Sequence, residues 1–186
     1  ALNCPFGTGH MGITAENVAA EHDITRDQQD AFALQSQERA AAAIAAGHFQ
    51  SQITPVDIRV KRDMVPFVTD EHPKATSADI LAGLRPVFQK DGTVTAGNAS
   101  SLNDGAAAVM LASREKAEAL GLPILATISG YASAGVDPAV MGTGPIPAVK
   151  KCLAKAGWDI NDLDLVEANE AFAVQALSVN KSLEWD

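Results

Sequence analysis

An asparagine at a turn, a histidine among glycines and a serine in a run of small residues are the side chains here best suited to chemistry on a carbonyl group. Asn169 lies in Val166-Glu167-Ala168-Asn169-Glu170-Ala171-Phe172. That stretch closes an apolar-acidic segment that reads as a strand, Leu163 to Glu167, and opens an alanine-rich helix expected to begin near Glu170. A carboxamide at such a turn sits beside backbone N–H groups that have no helical partner. It suits an oriented water or a developing oxyanion, and equally an asparagine that only caps the helix. His10 and Met11 precede a helix among Gly7, Gly9 and Gly12, which let a ligand approach the backbone closely. An imidazole can hydrogen-bond an amide and a thioether can pack on an acyl chain, whereas a surface histidine in a loose loop is the plainer alternative. Ala96-Gly97-Asn98-Ala99-Ser100 offers small walls and one hydroxyl to a slim ligand, although Ser100 also suits a turn. Leu81, Leu84 and Phe88, spaced i, i+3, i+7, form either an apolar lid or the core face of a short helix.

The elements that must position these groups change character along the chain. The first third reads as helical. Thr14 can cap a segment from Ala15 to Glu21; Thr25 and Gln28 match a capping box for Arg26 to Ala46, and Gly47 supplies the left-handed stop. Residues 52–60 suggest a strand interrupted by Pro55, and 61–79 read as loop. Beyond Ser101 the pattern alternates. Apolar runs at 106–111, 124–131 and 163–167 suit strands, the first of them buried on both faces, and helices follow from Arg114 and from Pro145. Alternating strands and helices point to an α/β layered fold.

Composition sets outer bounds. The chain has 186 residues, enough for a substantial core in one or two domains, with 47% hydrophobic but only 5% aromatic residues. Its net charge of −9 argues against nucleic acid or an anionic membrane as partner, but not against a local basic pocket. Cys4 and Cys152 form no disulfide framework and fit a reducing compartment, so a cytoplasmic location is expected. No apolar run reaches membrane-spanning length, no basic-then-apolar leader opens the sequence, and Ala1 stands where a methionine would start a chain. The expectation is a soluble protein or a piece of one. The four histidines show no ligand spacing for a metal.

Asn169-Glu170-Ala171-Phe172 resembles the signature of the thiolase family, enzymes that make and cleave 3-oxoacyl-CoA thioesters. Two further stretches agree, Gly9-His10-Met11-Gly12-Ile13-Thr14-Ala15-Glu16-Asn17 and the run from Gly92 through Ala96-Gly97-Asn98-Ala99-Ser100 to Gly105, and the likeness covers nearly the whole chain. The resemblance implies an α/β, thiolase-like layered fold with a mainly helical loop domain inserted on the N-terminal side. In that register residues 1–103 are most of the loop domain, 104–121 end the N-terminal half and 122–186 begin the C-terminal half. The implied activity is acyl transfer through a cysteine thioester, condensing two acetyl-CoA to acetoacetyl-CoA or cleaving 3-oxoacyl-CoA. The alternatives are a degradative 3-ketoacyl-CoA thiolase and a non-catalytic acyl-CoA-binding or structural fragment.

Residue by residue, the resemblance implies a catalytic role for Asn169 at an oxyanion. It lines an acyl-CoA pocket with His10, Met11, Ala96, Ala99, Ser100, Ala171 and Phe172, the hydroxyl of Ser100 meeting a pantetheine amide. It makes Leu81, Leu84 and Phe88 the lid and places Lys74 near the nucleotide phosphates. Coenzyme A enters as substrate and no cofactor is expected. Family members that bind potassium carry a tyrosine where this chain has Gln37, and the one tyrosine is Tyr131, so no metal is expected either. The family's nucleophilic cysteine, its Gly-His-Pro histidine and its acid/base cysteine match no motif here. Cys152, beside Lys150 and Lys151, reads as a partly buried helical cysteine, although neighbouring lysines can favour a thiolate. In the family register the nucleophile lies before Ala1 and the other two groups after Asp186. This stretch is therefore expected to be inactive alone, and a homodimer or homotetramer is expected of the intact enzyme.

Overall fold

Helix formation begins where a side chain satisfies the first free N–H groups. In the computed structural model, which describes residues 2–185, helix α1 (Met11–Glu21) starts earlier than the Thr14 cap would place it. His10 is the capping residue, its Nδ1 accepting from the Gly12 N–H, while the Thr14 hydroxyl donates back to the Met11 carbonyl at 2.7 Å. Helix α2 (Arg26–Ala45) carries the complete Thr25–Gln28 capping box and is followed by Gly47 at φ +75°. Strands β1 (Val56–Val60) and β2 (Asp63–Phe67) form an antiparallel hairpin in a stretch expected to be partly loop. Pro66 hid β2 from the sequence, yet a two-stranded hairpin has only edges, where a missing donor is tolerated.

Helix α3 (Ala78–Ala82) holds Leu81 alone of the expected lid stripe. Gly83 and Pro86 stop the helix, so Leu84 and Phe88 come from the non-helical chain beyond it. Helix α4 (Arg114–Ala119) is capped by Ser113, and α5 (Pro145–Ala156) starts on proline and stops at Gly157, φ +71°. Helix α6 (Ala173–Leu183) begins three residues later than expected. Asn169 therefore does not cap it. Phe172, at φ −142° and ψ 142°, is instead held in extended chain by a partner described below.

The expected strands at 106–111, 124–131 and 163–167 are not formed; among the described residues β1 and β2 make the one sheet. A strand is stable only when its N–H and C=O groups meet a neighbour, and none of these segments pairs with another. Their apolar side chains stay in solvent, with Val109 85% and Leu125 95% exposed.

The core lies elsewhere. Ala15, Val18, Ala19 and Ile24 pack with Val94 and Val174, ringed by Phe88, Ala99, Phe172 and Leu177. It joins α1, α6 and the small-residue segment, so the packed part of the molecule is the part that carries the candidate site. Val174→Ala should lower unfolding stability by about 2 kcal/mol, whereas Val109→Ala should change it by less than about 0.5 kcal/mol. Urea denaturation of the two variants checks the contrast.

Candidate active site

The His10 ring is fixed from two sides. Its Nδ1 accepts from the Gly12 N–H at 3.0 Å, and its face stacks on Phe88 with centroids 4.8 Å apart. A nitrogen that accepts an N–H bears a lone pair, so the neutral ring carries its proton on Nε2, ready to donate to a ligand oxygen. Gly12 is required there, because a Cβ would overlap the Phe88 ring. The preceding loop is folded back by an isolated bridge between Asn3 and His10.

One buried carboxylate ties α1 to the small-residue segment. Glu16 accepts from the Thr93 and Val94 N–H groups and from the Thr93 hydroxyl, all at 2.8–2.9 Å. Asn98, also buried, closes the next turn: its Oδ1 accepts from the Thr95 N–H at 2.8 Å and its amide nitrogen donates to Asp30 and to the Thr93 carbonyl. The backbone from 93 to 98 is thus fixed by Glu16 from α1 and by Asn98 from within the segment.

Beyond it, Ala99 pairs with Phe172 in an isolated antiparallel bridge. Ser100 N–H donates to the Ala171 carbonyl at 3.0 Å and Ala173 N–H donates to the Asn98 carbonyl at 2.9 Å. The second bond occupies the first N–H of α6 and explains its late start. Phe172 meets Phe88 edge to face at 6.4 Å. Glu170 is anchored by the Ser36 hydroxyl at 2.7 Å. Asn169 itself is exposed, and among the described residues its carboxamide makes no hydrogen bond.

Two concavities flank this bridge. The first, about 670 Å³, is lined by His10, Met11, Phe88, Asn169, Ala171 and Phe172. The second, about 540 Å³, is lined by Lys74, Leu81, Leu84 and Ala96. Ala99 and Ser100 border both. Every site residue expected from the sequence therefore faces one cleft or the other. Leu81 and Leu84 press on Gly97, where a Cβ would come within 2.6 Å of them. The exposed side chain of Lys74 stands at the rim, while its backbone N–H donates to the Gln37 carboxamide oxygen at 3.1 Å.

Several residues were not foreseen. Met141 and Gln175 line the first cleft, Met141 from a 3₁₀ turn (Pro138–Thr143) that packs on α1. Nothing in the local sequence marks it. Glu16, by contrast, gave a signal: a carboxylate among Ala15, Val18 and Ala19 on one helix must find donors when that face is buried.

The cysteines stand apart from both clefts. The Thr8 side chain and the loop N–H groups of Phe6, Thr8 and Gly7 hold the Cys4 thiol below its ordinary range. Cys152 sits half-buried on α5 against Gly130, while the neighbouring Lys151 ammonium donates to the Ser133 carbonyl. Among the described residues no cluster of three or more histidine, cysteine or acidic side chains could hold a metal, and no helix is long and apolar enough to cross a membrane.

The geometry has close counterparts. Residues 1–115 match the thiolase N-terminal domain and residues 122–186 the thiolase C-terminal domain. The chain belongs to the thiolase family. It is 62% identical over 186 residues to an acetyl-CoA acetyltransferase of Chromobacterium violaceum, covering 99% of this chain and 47% of that protein. It is 58% identical over 183 residues to one of Pseudomonas aeruginosa, covering 97% of this chain and 47% of that protein. The crystal structure of the Bacillus anthracis acetyl-CoA acetyltransferase superposes with a TM-score of 0.94 at 52% identity, over 100% of this chain and 47% of that one. Human mitochondrial 3-ketoacyl-CoA thiolase in complex with CoA superposes with a TM-score of 0.90 at 47% identity, over 100% and 46%. The chain thus spans about half the length of the relatives it matches.

Glu16→Gln keeps the size of the side chain but turns an NH₂ group toward N–H donors. With at least one buried donor left unpaired, it should destabilise the chain by about 2–3 kcal/mol, read from the urea midpoint. Loss of amide-exchange protection should concentrate at Thr93 and Val94.

Proposed function

We propose that this chain supplies the acyl-CoA-binding side of a thiolase-type acyltransferase that forms acetoacetyl-CoA from two acetyl-CoA, or runs the reverse cleavage. The observation that carries the reading is the convergence of His10, with its free Nε2–H, and the unpaired carboxamide of Asn169 on one cleft, joined at Ser100 to a slim groove. The curated relatives at 58–62% identity are named acetyl-CoA acetyltransferases, which favours a short acyl group.

In this reading a cysteine thiolate, outside the residues assigned here, attacks the acetyl thioester. A carbon–sulfur bond forms to the cysteine as the carbon–sulfur bond to CoA breaks, and CoA leaves as the thiol with the proton that the cysteine gave up on activation. A second acetyl-CoA loses an α-proton to a base, its carbon attacks the bound acetyl carbonyl, and the cysteine–carbon bond breaks to release acetoacetyl-CoA. Both halves place negative charge on a thioester oxygen. Asn169 can donate to that oxygen directly or through a held water, without adding a proton that titrates near neutrality. His10 Nε2–H steadies the thioester end, with Met11 against the acyl group. Pantetheine would run past Ala99, Ala171 and Phe172 and through the groove between Ala96 and the Leu81–Leu84 lid, with the Ser100 hydroxyl on one of its amides. Lys74 would meet phosphate at the rim.

We assign residues 1–103 to the inserted loop domain, 104–121 to the end of the N-terminal half and 122–186 to the start of the C-terminal half, in a homodimeric or homotetrameric enzyme. Free Cys4 and Cys152 suit a cytoplasmic setting. Turnover of acetoacetyl-CoA against longer 3-oxoacyl-CoA by the whole protein tests the substrate class, and preference for the longer chain would favour a degradative 3-ketoacyl-CoA thiolase.

Two variants of the whole protein test the site. Because Asn169 caps no helix, Asn169→Asp should leave stability unchanged yet oppose the oxyanion, lowering turnover by about 10²-fold or more; near-normal turnover would remove Asn169 from the mechanism. Ser100→Ala should raise the Michaelis constant for acyl-CoA by about 2- to 10-fold, as expected for one neutral hydrogen bond, with turnover nearly unchanged.

A further inference from the structure

The groove that the proposed function gives to pantetheine has a floor and a lid, and both are held by one helix through a pair of charged residues that touch neither cleft. Arg26, at the start of α2, donates through Nη2 to the carbonyls of Leu81 at 2.6 Å and Leu84 at 3.0 Å. These lie at and beyond the end of α3, where carbonyls have no helical partner. The Arg26 Nε donates to Asp30 Oδ2 at 2.6 Å, one turn along α2, and the two side chains are only 21% and 10% exposed. The other oxygen of Asp30 accepts from Asn98 at 2.9 Å. Asn98 in turn holds the Thr95 N–H with its side chain and the first N–H of α6 with its carbonyl. An unbroken polar path therefore runs from the lid carbonyls through Arg26, Asp30 and Asn98 to the floor that carries Ser100 and on to α6.

On the opposite side the same lid and floor are in apolar contact, with Leu81 and Leu84 pressed on Gly97. The apolar contact sets how near the lid can come; the polar path sets how far it can go. We propose that Arg26 and Asp30 are positioning residues that fix the width of the groove, and thereby the affinity for the slim pantetheine arm rather than the rate of acyl transfer. The guanidinium is suited to this because its planar fork reaches two carbonyls and a carboxylate at once, which a single ammonium cannot. Widening the groove would loosen ligand binding without moving the His10 and Asn169 donors of the other cleft.

The test uses Arg26→Lys in the whole protein, which keeps the charge and the first turn of α2. The Michaelis constant for acyl-CoA and the dissociation constant for CoA should both rise by about 5- to 20-fold, with turnover within about 2-fold of the parent. Amide exchange should accelerate across residues 78–84 while α1 keeps its protection. An unchanged Michaelis constant, or turnover falling in proportion to the folded fraction, overturns the proposal. If the parent protein neither binds CoA nor turns over acyl-CoA, the functional reading fails; the exchange pattern then decides alone whether Arg26 holds the lid, and uniform acceleration across the chain counts against it.

Discussion

Two backbone hydrogen bonds at the Ala99–Phe172 bridge are the constraint on which the site depends. They join stretches more than seventy residues apart and bring the small-residue segment against the Asn169-to-Phe172 turn. Each bond contributes only about 1 kcal/mol net, so the bridge cannot hold the site by itself. It is effective because both its strands arrive already shaped. One is fixed by Glu16 and Asn98, the other continues directly into α6, whose Val174 is fully buried. The bridge selects a register between two rigid pieces, and with it the separation of the Ser100 hydroxyl from the Asn169 turn.

Buried polar groups perform this shaping, and their satisfaction is what makes it economical. Glu16, Asp30 and Asn98 are all buried, a costly arrangement for carboxylates unless donors surround them. Glu16 has three donors, and Asp30 has a guanidinium on one oxygen and a carboxamide on the other. A hydrophobic contact tolerates sliding, but a carboxylate between two successive backbone N–H groups does not. That difference explains why a segment of Thr93, Thr95, Ala96, Gly97 and Ala99, with little side-chain bulk to lock it, still presents a defined surface to a ligand.

The same division explains what the sequence could reveal. Local signals held: the Thr25–Gln28 box starts α2, and the left-handed glycines at 47 and 157 follow α2 and α5. Where a distant partner overrides a local preference, reading the sequence alone failed. The start of α6 moves from about Glu170 to Ala173 because Asn98 takes its first N–H. His10 begins α1 ahead of Thr14 because an imidazole nitrogen can cap as an oxygen does. Pro66 disguised a hairpin strand. The cleft-lining residues were legible through motifs, and Glu16 showed as a lone carboxylate on an apolar helix face, but Arg26 and Asp30 were not legible, since the groups they hold lie 55 to 68 residues away. The apolar runs at 106–111, 124–131 and 163–167 carry the composition of buried strands, and composition alone supplies no neighbour to pair with.

Those unpaired runs bear on Asn169 in particular. Val109, Met110, Leu111, Leu125, Ile128, Tyr131 and Leu165 are all more than two-thirds exposed. At about 1.5–3 kcal/mol each, burying them would be worth on the order of 10–20 kcal/mol, comparable to the whole stability of a domain. The chain spans about half the length of its relatives, and none of this burial is realised among the described residues. Most of the site is indifferent to it, because His10, Met11, Ala99 and Ser100 stand on α1 and on the segment that Glu16 fixes. Asn169 is different. It lies two residues before the Ala171 carbonyl that Ser100 holds, and on its other side the chain leads straight into the unpaired 163–167 run. It is therefore supported from one direction only. A donor aimed at a developing oxyanion must be held within about half an ångström of its productive place. The placement of Asn169, unlike that of His10, Met11, Ala99 and Ser100, is therefore the least constrained among the cleft-lining residues.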